Sequence, residues 1–137
     1  MVRFVDTNIF LRALTGDDPV KSPVCAALFA RVERGDEEIV TCEAVIAEIV
    51  YVLSSRSIYD LRHDEIRAKL VPFIRMRGLG LPGKAVYLRA LDLFVEHPAL
   101  DFEDALCAAH MEQTGIGELL SYDRGLDRIT GLTRVEP

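Results

Sequence analysis

Short β-prone segments alternate with longer helical ones, and this alternation limits the possible folds more than any other feature of the chain. The β-prone segments are residues 2–5, 38–41 and 118–121; residues 78–82 form a short extended piece, and residues 133–135 are a candidate for a last short strand. Apolar residues recur at helical spacing between them, at 9–14, 22–34, 44–54, 62–76, 84–96 and 101–114. This pattern predicts an α/β fold, a three-layer sandwich in which helices flank a short, mostly parallel sheet. With 137 residues and no linker or repeat, we expect a single domain over residues 1–137.

Two acidic residues, Asp6 and Asp123, come directly after predicted strands. In parallel α/β folds, ligands bind in the crevice beyond the carboxyl ends of the strands. We therefore expect a functional site there, although Asp6 alone would suit a helix N-cap and Asp123 a turn before Gly125. Asn8 and Ser121 lie two residues from these acids, where either could orient a ligating carboxylate or a bound water.

Glu48 lies in a run, residues 44–53, whose other members are almost all apolar. Glutamate is almost never fully buried unless something compensates its charge. The sequence therefore predicts a partner for this carboxylate. The candidates are an arginine such as Arg12 or Arg56, a set of hydrogen bonds, or a metal ion shared with other acids.

Asp104 is the fourth acid with an informative context, because it follows Asp101, a candidate N-cap, in the first turn of a predicted helix. Mg²⁺ and Mn²⁺ prefer oxygen ligands, and clustered carboxylates ionise together only when a cation compensates them. We predict a site for one or two such ions, with its ligands from four acids: Asp6, Glu48, Asp104 and Asp123. Asp101 is a further candidate for this site. Asp127 is ambiguous, since it lies one helical turn beyond Asp123.

The composition constrains the compartment more than the partner. The net charge of −6 opposes nucleic-acid binding at first, but bound divalent cations would reverse the local charge around clustered acids. The three cysteines are widely spaced without a Cys-x-x-Cys pair, which favours reduced thiols in a cytoplasmic protein. The first residues are too short and too soon acidic for a signal peptide, and no apolar stretch reaches the length of a membrane span.

Taken together, these segments make the chain resemble the PIN-domain ribonucleases, and within them the VapC-type toxins of bacterial and archaeal toxin–antitoxin pairs. The matching motifs span nearly the whole chain. They are the strand with Asp6-Thr7-Asn8, the helix with Glu48, Phe102-Glu103-Asp104-Ala105-Leu106 and Leu120-Ser121-Tyr122-Asp123. Ser121 stands where the family often has threonine and keeps the hydroxyl group.

The resemblance implies an Mg²⁺- or Mn²⁺-dependent endoribonuclease with Asp6, Glu48, Asp104 and Asp123 around the metal. A metal-bound water would attack the scissile phosphate and leave a 5′-phosphate and a 3′-hydroxyl. The resemblance also implies a homodimer inhibited by a small VapB-like antitoxin, whose C-terminal segment occupies a groove near the active site. The basic residues that could contact the RNA backbone are Arg12, Arg56, Lys84, Arg124 and Arg128.

Four alternative functions can be compared with the residues of this chain. The family also includes non-toxin RNA-processing nucleases, and the compact size of the chain favours the toxin over these. A catalytically inactive PIN-like interaction module has no need to keep four mutually repelling acids. A haloacid-dehalogenase-like phosphatase needs a second acid where Asn8 stands. A receiver domain needs an acidic pair after the first strand and a late lysine, but the last lysine is Lys84.

Overall fold

The computed structural model of the protein describes residues 1–137, and the chain divides into two compact units, Met1–Lys84 and Ala85–Pro137. The first unit contains, in chain order, β1 (Arg3–Phe4), α1 (Thr7–Thr15), α2 (Lys21–Arg34), β2 (Ile39–Val40), α3 (Glu43–Ser54), α4 (His63–Ile74) and β3 (Leu79–Gly80). At the boundary α5 (Lys84–Glu96) begins, and the second unit continues with α6 (Phe102–Thr114), β4 (Glu118–Leu120), a 3₁₀ helix (Arg124–Arg128) and β5 (Thr133–Val135).

All strand pairs are parallel, which confirms the predicted α/β class with a short parallel sheet. In the first unit β2 lies between β1 and β3, with Ile39 opposite both Arg3 and Leu79. In the second unit β4 pairs with β5, and Leu119 lies opposite Arg134. The strands therefore form two sheets of three and two strands rather than one.

The core of the first unit is built on three aromatic rings. Phe10 of α1 lies 4.9 Å from Phe29 of α2, and Phe29 lies 4.8 Å from Phe73 of α4, measured between ring centroids. These tilted and edge-on contacts are the geometries that aromatic pairs prefer. These contacts join α1, α2 and α4 through side chains that the helical spacing predicts to be apolar.

Gly78, just before β3, shows why the third strand can come so close to the rest of the unit. A Cβ atom at this position would lie 2.7 Å from the carbonyl oxygen of Val32 and 2.8 Å from that of Glu37. Because neither backbone atom can move aside cheaply, only glycine fits here. The Gly78 carbonyl in turn accepts a hydrogen bond of 2.9 Å from the Ile39 N–H.

The second unit packs α5 and α6 through Phe94 and Phe102, whose rings meet edge to face at 5.8 Å. An ion pair between Arg89 of α5 and Glu112 of α6, 2.8 Å from Nε to Oε2, joins the two helices at their exposed side. The sequence predicts only a break at residues 122–125, whereas the structure has a 3₁₀ helix from Arg124 to Arg128. Of the six helices, none is both long enough and apolar enough to cross a membrane.

Candidate functional site

Asp6 and Glu48, both in the first unit, are linked through one threonine. Asp6 follows β1 and caps α1, where its Oδ1 accepts a hydrogen bond of 2.7 Å from the Thr7 N–H. The Thr7 side chain is buried and donates its hydroxyl to Glu48 Oε2, also at 2.7 Å. The end of the first strand and the middle of α3 are thus joined by a residue that donates to both carboxylates.

The expectation that Glu48 is buried is wrong, because its side chain is exposed. The α3 residues that face the core are Val45, Ile46, Ile49, Val50 and Leu53. Glu48 lies on the opposite face with Ala44 and Tyr51, one helical turn away on either side. Its charge is therefore solvated and needs no compensating cation for the fold.

The partner of Glu48 is a hydrogen-bond donor and not an arginine. Arg12 pairs with Asp17, 3.1 Å from Nη1 to Oδ1, and Arg56 is exposed without an ion pair. Of the three candidate partners, hydrogen bonding is the one that the structure contains, through Thr7. A metal ion at Glu48 remains a prediction.

In the second unit, the charges of Asp101 and Asp123 act on Asp104. Asp101 caps α6, as predicted, and its Oδ1 accepts a hydrogen bond of 2.8 Å from the Asp104 N–H. Asp104 is half-buried. Burial, and after it the negative charges of Asp101 and Asp123, together raise the pKa of Asp104 from 3.8 to about 6.

Ser121 holds the backbone of Asp123 and not its carboxylate. The Ser121 Oγ accepts a hydrogen bond of 3.0 Å from the Asp123 N–H, and Asp123 Oδ1 accepts one of 2.9 Å from the Gly125 N–H. Asp123 is therefore the N-cap of the 3₁₀ helix, which is the turn role that its context also allowed. Asn8 is exposed and makes no hydrogen bond with Asp6.

The oxygen atoms of these acids are of the kind that binds divalent cations. All are carboxylate oxygens, the ligands that Mg²⁺ and Mn²⁺ prefer. The pKa of Asp104 is raised first by burial and then by negative neighbours, and a cation would offset the charge of those neighbours. No group of three or more His, Cys, Asp or Glu side chains is arranged to hold a metal ion. The four-acid ligand set therefore remains a prediction.

The five basic residues predicted to contact RNA differ in whether their charged groups already have a partner within the chain. Arg56, Arg124 and Arg128 are exposed and form no ion pair. Arg12 is engaged with Asp17, as already described. Lys84 Nζ donates to the Met76 carbonyl at 2.7 Å, and its partial burial lowers the pKa of the ammonium group.

Arg134 contacts the segment that holds Asp123, and the sequence pattern did not predict this. It lies on β5 and donates to the Ser121 carbonyl, to Asp127 and to Glu136. This pairing settles the ambiguous Asp127 as an ion-pair residue, 2.8 Å from the Arg134 Nε. The only signal in the sequence is an arginine in the middle of a predicted strand, whose partners depend on how the chain folds.

The first unit also has an apolar groove between α1 and α2, with a volume of about 400 Å³. Its lining includes Ile9, Val20 and Val24, with Arg12 and Lys21 at its polar side. Val20 and Val24 are 75% and 68% exposed, which is unusual for two valines one helical turn apart. Such a surface suits a partner with apolar side chains.

Comparison with known proteins relates the chain to a family and to solved structures. The family model described as "PIN domain" matches residues 3–132 of the chain. The crystal structure of VapC20 from Mycobacterium tuberculosis, described as a sarcin–ricin loop cleaving toxin, aligns with 98% of this chain and 99% of its own. The two sequences are 19% identical, and the TM-score is 0.39. No curated protein matches the chain.

Proposed function

The chain belongs to the PIN-domain family, whose model matches residues 3–132, and from this premise we propose that it is a metal-dependent endoribonuclease. The observation that carries the proposal is the group of acids in the second unit, where Asp101 and Asp123 act with burial to raise the pKa of Asp104 to about 6. Ionisable groups with strongly shifted pKa values occur preferentially at functional sites. The match spans both compact units, so we propose that residues 1–137 form a single PIN domain.

We assign the metal ligands to Asp6, Glu48, Asp104 and Asp123. When bound, Mg²⁺ or Mn²⁺ supplies a water of lowered pKa and a charge that neutralises the phosphate. The chain's own residues hold these carboxylates in place. Thr7 donates its hydroxyl to Glu48. The Asp101 carboxylate accepts a hydrogen bond from the Asp104 N–H in the first turn of α6. The Ser121 hydroxyl accepts one from the Asp123 N–H.

The RNA backbone would be bound by local basic groups, since the overall charge of −6 is repulsive. Arg56, Arg124 and Arg128 are the candidates that are exposed and unpaired. Arg124 is the most informative of them, because it directly follows Asp123. Arg12 and Lys84 are weaker candidates, since each already has a partner within the chain.

As to biological role, we propose the toxin of a VapBC-type pair that acts in the cytoplasm, forms a homodimer and is inhibited by a VapB-like antitoxin. The groove between α1 and α2 supports the antitoxin, because exposed Val20 and Val24 suit the apolar face of a short partner segment. None of the three cysteines forms a disulfide, which is in keeping with a reducing compartment. The alternative within the family is a non-toxin RNA-processing nuclease.

A second candidate is a PIN-like interaction module without nuclease activity. Two observations favour it: Glu48 is exposed, and no three acids form a metal-binding group. An interaction module would bind its partner through the same groove and would show no cleavage with either ion.

The deciding experiment incubates the purified, inhibitor-free protein with cellular RNA in EDTA, Mg²⁺ or Mn²⁺ and maps the cut ends. We expect cleavage only with a divalent ion, leaving 5′-phosphates. Asp6→Asn should abolish cleavage without unfolding the protein. Glu33→Gln, at an exposed position of α2, is the matched control and should cleave normally. Cleavage in EDTA, or full activity of Asp6→Asn, would contradict the proposed metal site.

A further inference from the structure

Arg134 is the most enclosed ion-paired arginine of the second unit, with only 11% of its side chain exposed. Its guanidinium reaches three separate segments. It binds Asp127 with two nitrogens, at 2.8 and 3.4 Å, and Glu136 at 2.9 Å. Its third partner is the carbonyl oxygen of Ser121, 2.9 Å from Nη1. The 3₁₀ helix, the C-terminal residues and the end of β4 are thereby joined at one side chain.

The contact with Ser121 is the one that bears on function. The Ser121 N–H donates to the Val135 carbonyl at 3.1 Å, its carbonyl accepts from Arg134, and its hydroxyl accepts from the Asp123 N–H. Every polar group of Ser121 is therefore occupied. Arg134 fixes Ser121, Ser121 fixes the backbone of Asp123, and the Gly125 N–H fixes one oxygen of the Asp123 carboxylate.

An arginine is required to make this set of contacts. Its planar fork carries five N–H donors in fixed directions, so one side chain can bind a carboxylate with two nitrogens and still reach a carbonyl and a second carboxylate. The compact ammonium of lysine lacks this geometry and would keep only part of the set. Half-exposed ion pairs contribute little to stability, but an enclosed guanidinium with three partners restrains the groups around it.

We propose that Arg134 is a positioning residue for the Asp123 carboxylate, acting through Ser121 without touching RNA or metal. The proposal rests on the nuclease function proposed above. Residues that hold a ligating or catalytic group in place typically change activity 10–100-fold when they are removed. A purely structural ion pair would instead change stability and leave the order of residues 121–125 and the cleavage rate unaltered.

The test compares Arg134→Lys with a matched control, Glu136→Gln, which removes one carboxylate partner and leaves the Ser121 contact intact. Amide hydrogen exchange is measured on the full chain without RNA or added metal. For Arg134→Lys we expect the Asp123 and Gly125 amides to exchange about tenfold faster, because one hydrogen bond from a charged group is lost. With Mg²⁺ and an RNA that the wild type cleaves, kcat should fall roughly tenfold or more and KM should stay within about twofold.

The double variant Arg134→Lys with Ser121→Ala adds a second measurement. If both residues act on Asp123 through one series of contacts, Ser121→Ala should lower kcat much less in the Arg134→Lys variant than in the wild type. Wild-type exchange and kcat in Arg134→Lys would overturn the proposal, as would equal losses in Glu136→Gln. If the wild type cleaves no RNA, the nuclease function fails alone, and the exchange of Asp123 and Gly125 still decides whether Arg134 orders this loop.

Discussion

Asp6 and Glu48 of the first unit have different surroundings from Asp104 of the second unit. In the first unit, Asp6 and Glu48 each accept a hydrogen bond from Thr7, so both carboxylates have a donor within the protein. In the second unit, Asp104 is half-buried and has acids for neighbours, and burial followed by these charges raises its pKa to about 6. A carboxylate that its surroundings satisfy is compatible with a purely structural role. A carboxylate whose ionised form is disfavoured by its surroundings is more typical of a functional site.

The contrast predicts that the two groups respond differently to removal of charge. Asp104→Asn should lower RNA cleavage by about 10²–10³-fold, the usual cost of losing a group that stabilises charge in the transition state. Glu48→Gln should lower cleavage and Mn²⁺ affinity by about tenfold. Its melting temperature should hardly change, because an exposed side chain is altered and the Thr7 hydroxyl keeps an acceptor. Cleavage rates and Mn²⁺ titration measure both effects, and a strongly destabilised Glu48→Gln would mean that Glu48 is structural.

A second prediction separates the capping role of Asp6 from its proposed metal role. Asp6→Ala should lower the free energy of unfolding by about 1 kcal/mol, because the hydrogen bond to the Thr7 N–H is lost. Asp6→Asn keeps an N-cap oxygen and should cost only a few tenths of a kcal/mol. Urea unfolding measures the difference. Equal stability of the two variants would show that the cap contributes nothing to α1.

The last prediction concerns the pH dependence of stability through Asp104. Because the folded protein binds the Asp104 proton more tightly than the unfolded chain, this residue lowers the free energy of unfolding as the pH rises from 3.8 to about 6. Solvent around the half-buried side chain reduces the effect to roughly 1 kcal/mol. In metal-free buffer, Asp104→Asn should therefore gain stability relative to the wild type between pH 4 and pH 7. A difference that is constant with pH would show that the pKa of Asp104 is not raised in solution.

Much of the fold follows from local patterns. Apolar spacing located all six helices, and the β-prone runs located all five strands, because both patterns depend on residues close in sequence. The helix caps at Asp6 and Asp101 were identifiable for the same reason, since a cap bonds to an N–H one to three residues away. The 3₁₀ helix at Arg124–Arg128 was not, because a short turn has no apolar period.

The same distinction applies to the site. Sequence context singled out Asp104 and Asp123, and their role in a metal site stays a prediction; what the structure adds is the raised pKa of Asp104, which burial and neighbouring acids cause. It misjudged Glu48, because an apolar run of ten residues does not reveal which face of the helix meets solvent. It also missed Arg134, whose partners Ser121 and Asp127 are thirteen and seven residues away.

For this protein, local patterns in the chain predicted the helices, the strands and a mostly parallel sheet, and the resemblance of its motifs predicted the PIN family. Folding in three dimensions decided which side chains donate to which carboxylates: Thr7 to Glu48, forty-one residues away, and Arg134 to Asp127. The physical reason is that helix and strand preferences act over a few residues. Burial, hydrogen bonding and pKa depend instead on neighbours that only the folded chain brings together.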